Sequence, residues 1–236
     1  MQSVQSIRPA RTADPYRDTD VVDARAPRFN QAAVALLTIL SMATGEPWIA
    51  AVMGLQLAVG LLAGRRYCLP CVFYFEVVQP RVGEGPVEDA RPPRFANVLG
   101  AAFLLSATAA HAAGLVALGW TLIALVAGLA TLAVVTGFCM GCSMYRLMSR
   151  LRGIRPGRHD RVDAVDFGIE SESVVQFTHP LCSDCGDLER SLRATGADVV
   201  LVDVTREAAL ARKYHVDVVP LALRVSGDGR VLERLA

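Results

Sequence analysis

Residues 96–145 read ANVLGAAFLLSATAAHAAGLVALGWTLIALVAGLATLAVVTGFCMGCSMY and contain no lysine or arginine. A second stretch without either residue lies between Asn30 and Gly64. A helix needs about 20 apolar residues to cross the roughly 30 Å of hydrocarbon in a bilayer, whereas a soluble core rarely needs apolar stretches as long as these. The two stretches therefore predict membrane-spanning helices, and the lipid bilayer is the first expected partner.

Each apolar stretch contains a break and is therefore divided into two helices. In the first stretch the break is Gly45-Glu46-Pro47, and proline is tolerated in the first turn of the helix that follows. The four predicted transmembrane helices cover approximately residues 29–44, 47–64, 95–113 and 119–138.

The two helical hairpins carry the same landmarks in the same order. Each opens with Pro-Arg-Phe, has a tryptophan at the start of its second helix and ends in Cys-x-x-Cys-x-x-Tyr. From tryptophan to first cysteine there are 20 residues in one hairpin and 19 in the other, which is about 30 Å of helix. The pattern predicts two parallel hairpin repeats, related by a pseudo-twofold axis along the membrane normal, with both cysteine pairs at one interface.

The arginines predict which way the hairpins face. Five lie before the first helix, five lie in the loop between the hairpins and six lie between positions 146 and 161, while the two opposite turns have none. Loops rich in arginine stay on the cytoplasmic side of a membrane. We therefore expect a multi-pass cell-membrane protein whose N- and C-termini and cysteine pairs are cytoplasmic.

All six cysteines fall into three Cys-x-x-Cys pairs: Cys68/Cys71, Cys139/Cys142 and Cys182/Cys185. A membrane cysteine is commonly a small apolar filler, but random placement would not sort six fillers into three identical spacings. The spacing predicts thiol redox chemistry or metal binding. Nucleic acid is not expected as a partner, because the net charge is only +1 and no basic stripe with interleaved aromatic residues is present.

The C-terminal part alternates predicted strands and helices, and this order resembles the thioredoxin-like oxidoreductases. The matching positions are Cys182 and Cys185 at the start of the first helix and Val219-Pro220 before the third strand. A thiolate at a helix N-terminus is stabilised by the helix dipole and free N–H groups, which makes Cys182 the expected nucleophile and Cys185 the resolving thiol. The resemblance also implies a cis Pro220 beside the dithiol.

Three features depart from the thioredoxin pattern. Asp184 stands between the two cysteines and should disfavour the thiolate. Gln176 stands six residues before Cys182, where thioredoxins carry a buried acid that assists proton transfer. The family's final helix has no counterpart in the sequence, which ends at Ala236, so we expect a truncated domain that leans on the membrane unit or a partner.

A second resemblance covers about residues 20–148. It is carried by residues 22–23, 28–30 and 94–95 and above all by Gly-Phe-Cys-Met-Gly-Cys at 137–142. These resemble a bacterial integral membrane family that is common in actinobacteria, the domain of unknown function 4395. The resemblance implies a membrane protein without an established activity, and the association of family members with thioredoxin and rhodanese genes implies sulfur redox metabolism.

The sequence thus predicts an all-α membrane domain of four transmembrane helices, in two parallel hairpin repeats, and a small α/β thioredoxin-like domain. The predicted segments are a disordered cytoplasmic tail (1–25), the membrane domain with internal duplication (26–148), a basic linker (149–168) and the truncated thioredoxin-like domain (169–236).

Three functions are consistent with these features, and the sequence does not decide whether the chain is an enzyme. The first is a membrane-bound thiol–disulfide oxidoreductase, in which Cys182/Cys185 exchange electrons with Cys68/Cys71 or Cys139/Cys142. The membrane unit would pass the electrons either to a quinone or across the bilayer. The second is a zinc or iron–sulfur site built from the four membrane-interface cysteines. The third is persulfide transfer, in which a sulfurtransferase is the partner. A membrane tether without catalytic activity is the remaining alternative.

Overall fold

The computed structural model describes residues 13–153 and 161–235. Two compact units divide the chain. The helical unit consists of Asp14–Gly85 and Ala90–Tyr145, and the sheet unit consists of Met1–Ala13, Pro86–Asp89 and Arg146–Ala236.

The helical unit is built mainly from helices. The elements of residues 13–152 are, in chain order, β1 (Val21–Asp23), α1 (Arg25–Thr44), α2 (Pro47–Ala63), a 3-10 turn (Arg65–Tyr67), α3 (Leu69–Phe73), a π-helical turn (Tyr74–Val78), α4 (Gln79–Val82), β2 (Val87–Asp89), α5 (Arg91–Ala112), α6 (Val116–Thr136) and α7 (Met140–Arg152). Of these, β2 belongs to the sheet unit.

Glycine and proline set the ends of the long helices. Gly45 ends α1 with a φ of 73°, and Gly137 ends α6 with a φ of 74°. Such left-handed backbone is cheap only for glycine and lets the last carbonyls of a helix find a donor. Pro47 lies in the first turn of α2, where its missing N–H has no helical partner to lose. The long helices therefore begin and end within about four residues of the predicted positions.

The long helices pack as two matching pairs, α1 against α6 and α2 against α5. A side chain at Gly54 of α2 would meet the Leu104 Cβ atom at 2.8 Å, so glycine lets α2 and α5 approach closely. Leu104 and Ile123 are almost fully buried in the shared core, together with Met53. The unit is thus held together by apolar packing between the two hairpins.

The prediction of an all-α membrane domain with four transmembrane helices is wrong. Among the described residues, only α5 and α6 are both long and apolar enough to cross a membrane. Helix α2 has 17 residues, about 26 Å, which is shorter than the roughly 30 Å of hydrocarbon. Helix α1 has 20 residues but contains Arg25, Arg28, Asn30 and Gln31, whose polar side chains lower its hydropathy. The described chain also contains a two-stranded and a four-stranded sheet.

The described residues include only part of the predicted tail and part of the predicted linker. Residues 1–12 of the tail and 154–160 of the linker lie outside the described residues. The rest of the tail is not disordered, because residues Val21–Asp23 form β1 and Arg25 begins α1. The linker's first residues belong to α7, and its last residues include a short helix (Ala164–Phe167), here α8.

The sheet unit continues after α8 with alternating strands and helices. These are β3 (Ser173–Thr178), α9 (Ser183–Ala194), β4 (Val199–Asp203), α10 (Ala208–Lys213), β5 (Leu221–Val225) and β6 (Val231–Arg234). The strand order is β4-β3-β5-β6, in which β3 runs parallel to β4 and antiparallel to β5, while β5 and β6 form an antiparallel hairpin.

Apolar side chains cover both faces of the four-stranded sheet. All six residues of β3 are buried, as expected for a central strand with layers on either side. On one face Phe177 packs edge-on to Phe167 of α8, and Tyr214 completes this aromatic cluster. On the other face Val174 packs near Leu188 and Leu192 of α9. The sheet therefore holds the N-terminus of α9, and the cysteines there, on a rigid support.

Candidate functional site

Cys182 and Cys185 lie at the start of α9 and form a disulfide. Cys182 is the N-cap of α9, and its sulfur accepts a hydrogen bond from the Cys185 backbone N–H at 3.2 Å. Cys182 is 5% exposed and Cys185 is 1% exposed. Both cysteines are therefore buried, and the sulfur of Cys182 lies where helix N–H groups stabilise a thiolate after reduction.

The Val219–Pro220 peptide bond is cis, as predicted. Pro220 and Asp184 line the same cavity of about 200 Å³, and Asp184 stands between the two cysteines. The cis proline and the dithiol loop thus border one cavity of the sheet unit.

Gln176 lies beneath the dithiol, fully buried in β3. Its Nε2 donates a hydrogen bond to the Cys185 carbonyl at 2.8 Å, while its Oε1 has no partner among the described residues. Gln176 thus fixes the backbone of the resolving cysteine, and it does not bring the carboxyl group that the thioredoxin resemblance would require for proton transfer.

The segment β2 also contacts the dithiol loop within the sheet unit. The Val87 N–H donates to Ser183 Oγ at 2.9 Å, and Ser183 stands between the cysteines. The Val219 N–H, just before the cis proline, donates to the Asp89 carboxylate at 3.3 Å. Two backbone donors around the disulfide are therefore engaged by the chain itself.

Cys68 and Cys71 form a second disulfide, in the helical unit. Cys68 is the N-cap of α3, and Pro70 lies in the first turn of this short helix. Cys68 is 5% exposed. A side chain at Gly60 of α2 would meet the Cys68 Cβ atom at 2.9 Å, so this glycine is what lets the disulfide lie against α2. A cavity of about 170 Å³ adjoins both cysteines.

Cys139 and Cys142 are present as two thiols, Cys139 directly before α7 and Cys142 in its first turn. The Cys142 thiol donates to the Cys139 sulfur, with the two sulfur atoms 2.7 Å apart. The Cys142 backbone N–H and Gln31 Nε2 also donate to this sulfur, at 3.3 and 3.1 Å. The pair is only partly buried, so solvent and reagents reach it.

These donors change the acidity of Cys139. The hydrogen bond from the Cys142 thiol is the largest cause that lowers the pKa of Cys139 to about 6, and the backbone N–H groups and Gln31 act in the same direction against the opposing effect of burial. At neutral pH Cys139 is therefore mostly a thiolate, which is the nucleophilic form in thiol–disulfide exchange.

The structure brings the cysteines together in pairs only. Among the described residues, no group of three or more histidine, cysteine, aspartate or glutamate side chains gathers as metal ligands would. The hypothesis of a four-cysteine metal site at Cys68, Cys71, Cys139 and Cys142 therefore has no support from the geometry.

Several residues around the cysteines escaped the sequence analysis. Gln31 is 108 positions away from Cys139, and Asp89 is 130 positions away from Val219. A polar pair inside an otherwise apolar helix, Asn30-Gln31, was the available signal for the first contact. For Asp89 no signal existed, because an acidic residue in a loop is normally solvated.

One protein family matches this chain. A family model described as a domain of unknown function (DUF4395) matches residues 22–150. No curated protein and no solved structure matches the sequence. The family match includes the first two cysteine pairs and spans more than half of the 236 residues. The chain therefore belongs to the DUF4395 family.

Proposed function

We propose that the protein is a membrane-bound thiol–disulfide oxidoreductase that relays electrons between its cysteine pairs. One observation carries this proposal. The chain holds a thiolate, Cys139, with a second thiol beside it, and a disulfide, Cys182–Cys185, at the start of a helix. These are the nucleophile and the electrophile of one exchange reaction.

The exchange balances as two consecutive substitutions at sulfur. The Cys139 thiolate attacks the Cys182 sulfur, so that a Cys139–Cys182 bond forms and Cys185 leaves as a thiolate that takes up a proton. The Cys142 thiol then loses its proton and attacks the Cys139 sulfur, which releases Cys182 and closes a Cys139–Cys142 disulfide. Two electrons pass from the Cys139/Cys142 pair to the Cys182/Cys185 pair, and the reverse reaction uses the same steps.

The proposal also assigns a thioredoxin-like fold to the C-terminal part of the chain. The strand order β4-β3-β5-β6, the cysteines at the start of α9 and the cis Pro220 support this fold. Reduced Cys182 is the nucleophile in this reading and Cys185 resolves the mixed disulfide.

The membrane attachment is proposed to rest on α5 and α6, which form one hairpin. The two helices have 22 and 21 residues, about 33 and 32 Å, and each is long enough for one crossing. Arginines precede α5 and follow α6, and the turn between the helices contains none. The positive-inside rule then puts both ends of the hairpin and the Cys139/Cys142 pair on the cytoplasmic side.

Trapping of the mixed disulfide tests the relay. In the double variant Cys142→Ser, Cys185→Ser neither resolving thiol remains, so we expect Cys139 and Cys182 to stay linked after mild oxidation. Mass spectrometry of a non-reducing digest detects the linked peptides. As a matched control, Cys68→Ser, Cys71→Ser added to the double variant should leave the link intact. A Cys139 that remains open to alkylation and forms no link with Cys182 would contradict the relay.

A further inference from the structure

The cavity beside the Cys68–Cys71 disulfide has walls of mixed character. Apolar side chains of α1, α2 and the start of α5 form most of its surface, and the two cysteines form part of the wall. Arg94 also lines the cavity and is exposed, so the cavity opens to the surface at this residue. A ligand could therefore enter and reach the sulfur atoms.

The oxygen of one buried side-chain amide in this cavity lacks a hydrogen-bond partner. Asn30 is 3% exposed, and its Nδ2 donates to Asn97 Oδ1 at 3.1 Å. The Asn30 Oδ1 accepts no hydrogen bond from any described residue. Because an unsatisfied buried acceptor is unfavourable, a ligand that offers an O–H or N–H group gains affinity here.

Two guanidinium groups add positive charge to the same cavity. Arg65 donates hydrogen bonds to four backbone carbonyls, which fix its position. Burial is the main cause that lowers the pKa of Arg65 to about 10, and the neighbouring charge of Arg94 adds to it, so Arg65 is still protonated at neutral pH. The two guanidinium groups favour a ligand oxygen that accepts hydrogen bonds and gains negative charge.

These features together point to one class of ligand. The cavity of about 170 Å³ can hold a single substituted six-membered ring, since benzene occupies engineered apolar cavities of about 150 Å³. A carboxylate or phosphate would suit the arginines but not the apolar walls, and an acyl chain would leave Asn30 unpaired. A quinone ring suits all of them, because its oxygens accept from guanidinium groups and its reduced form donates O–H groups.

We propose that this cavity is a quinone site and that reduced Cys68 and Cys71 are its electron donors. The proposal rests on the proposed thiol redox function and names the acceptor. The two thiols lose two protons and two electrons as the Cys68–Cys71 bond forms. The quinone takes up both electrons, and its two oxygens take up two protons, so that quinol leaves and the disulfide remains.

Oxidation of the reduced protein by a synthetic quinone tests the site. The full-length chain in detergent is reduced, freed of reductant and mixed with decylubiquinone, whose fully substituted ring cannot form thioether adducts with cysteine. The loss of quinone absorbance and the loss of alkylatable thiols are followed together. We expect one quinone reduced for each pair of thiols lost, and the double variant Cys139→Ser, Cys142→Ser should retain this reaction.

Variants of the polar residues distinguish a site from random collision. Arg94→Gln should raise the quinone concentration for half-maximal rate about tenfold, since the quinone loses one hydrogen bond from a charged group. Asn30→Leu should weaken product inhibition by the quinol about tenfold, since only the quinol offers an O–H group to the Asn30 Oδ1. Arg91→Gln, on the same helix and outside the cavity lining, is the matched control and should behave like wild type. Because Arg94 is exposed, its replacement leaves the fold intact even if Asn30→Leu does not fold.

Two outcomes would overturn the quinone site. One is a reduced wild-type protein whose Cys68 and Cys71 are not oxidised by the quinone. The other is a rate that is the same in Arg94→Gln, Arg91→Gln and wild type, which would mean that quinone reacts without binding in the cavity. A Cys139–Cys182 link found together with either outcome leaves the relay standing, so the failures of the two proposals can be told apart.

Discussion

The two cysteine pairs of the helical unit carry the same motif and differ in their chemical state. In both copies the tyrosine of Cys-x-x-Cys-x-x-Tyr packs against the phenylalanine that begins its hairpin. The Phe29–Tyr74 ring centroids are 5.7 Å apart, and those of Phe95–Tyr145 are 5.5 Å apart, with interplanar angles of 44° and 45°. The frame around the two motifs is therefore nearly identical.

The surroundings of the sulfur atoms are what differ. Cys68 is buried in a disulfide against Gly60, whereas Cys139 is a partly buried thiol that receives a hydrogen bond from Gln31. Pro70 stands between the first pair of cysteines and Gly141 between the second. A repeated scaffold thus supplies two sites with separate properties. The residues that distinguish them lie both inside the motif (Pro70 and Gly141) and outside it (Gly60 and Gln31).

The largest effect is expected from removal of the hydrogen bond between the Cys142 thiol and the Cys139 sulfur. In Cys142→Ala the main donor to Cys139 is lost, so the pKa of Cys139 should rise from about 6 toward the ordinary value of about 8.5. The thiolate fraction at pH 6 should then fall at least about tenfold. The pH profile of Cys139 alkylation measures this, and in wild type the rate should level off above about pH 7. A profile that does not move in the variant would show that Cys142 is not the cause.

A second prediction uses one closely packed glycine beside each of the two cysteine pairs. An added Cβ at Gly60 would lie 2.9 Å from Cys68 Cβ, and one at Gly141 would lie 2.8 Å from Ala96 Cβ. Gly60→Ala and Gly141→Ala should each destabilise the protein by about 1–3 kcal/mol, because well-packed atoms must move apart. Each should perturb the reactivity of its own cysteine pair more than that of the other pair. Thermal unfolding and differential alkylation measure the two effects.

Gly128→Ala in α6 is the control for this pair, because an added Cβ there meets nothing within 4 Å. Alanine is a better helix former than glycine, so this variant should be neutral or slightly more stable. Equal destabilisation by all three substitutions would contradict the close-packing explanation, because the added Cβ at Gly128 meets no neighbouring atom.

The smallest expected effect concerns Gln31. Gln31→Leu removes one donor to the Cys139 sulfur and should lower the alkylation rate at pH 6 by about threefold, since the Cys142 donors remain. Gln56→Leu is the matched control, because Gln56 Nε2 bonds to the Tyr67 carbonyl at 2.6 Å, near the first pair. If both variants slow Cys139 alike, the Gln31 contact does not tune this thiol.

Local sequence features were sufficient to predict the helix ends, whereas the cis proline was predicted from the resemblance to thioredoxin-like oxidoreductases. Glycine and proline impose backbone conformations that depend on few neighbours, so Gly45, Pro47 and Gly137 mark helix ends wherever the fold places them. The wrong prediction of four membrane spans came from relying on stretches that contain no lysine or arginine. Helix α1 begins at Arg25 and also contains Arg28, Asn30 and Gln31, and these polar residues in its first two turns make it too polar for a span.

The site was predictable only in part. The spacing of the cysteines identified all three pairs, since a Cys-x-x-Cys sequence brings its own sulfurs together at the start of a helix. The spacing could not show that one pair is reduced and two are oxidised. Nor could it show the contact of Gln31 with Cys139, which joins positions that only the tertiary fold brings close.

The bond between the Val219 N–H and Asp89 has a consequence for partner choice. An extended peptide that adds to a folded domain gains affinity by pairing with backbone donors of this kind. Here the Asp89 carboxylate already accepts the hydrogen bond from the Val219 N–H beside the cis proline. A peptide that binds there must therefore compete with Asp89 for this donor. Proteins that offer only an extended segment would therefore not bind. A protein that does bind would need further contacts of its own that displace Asp89.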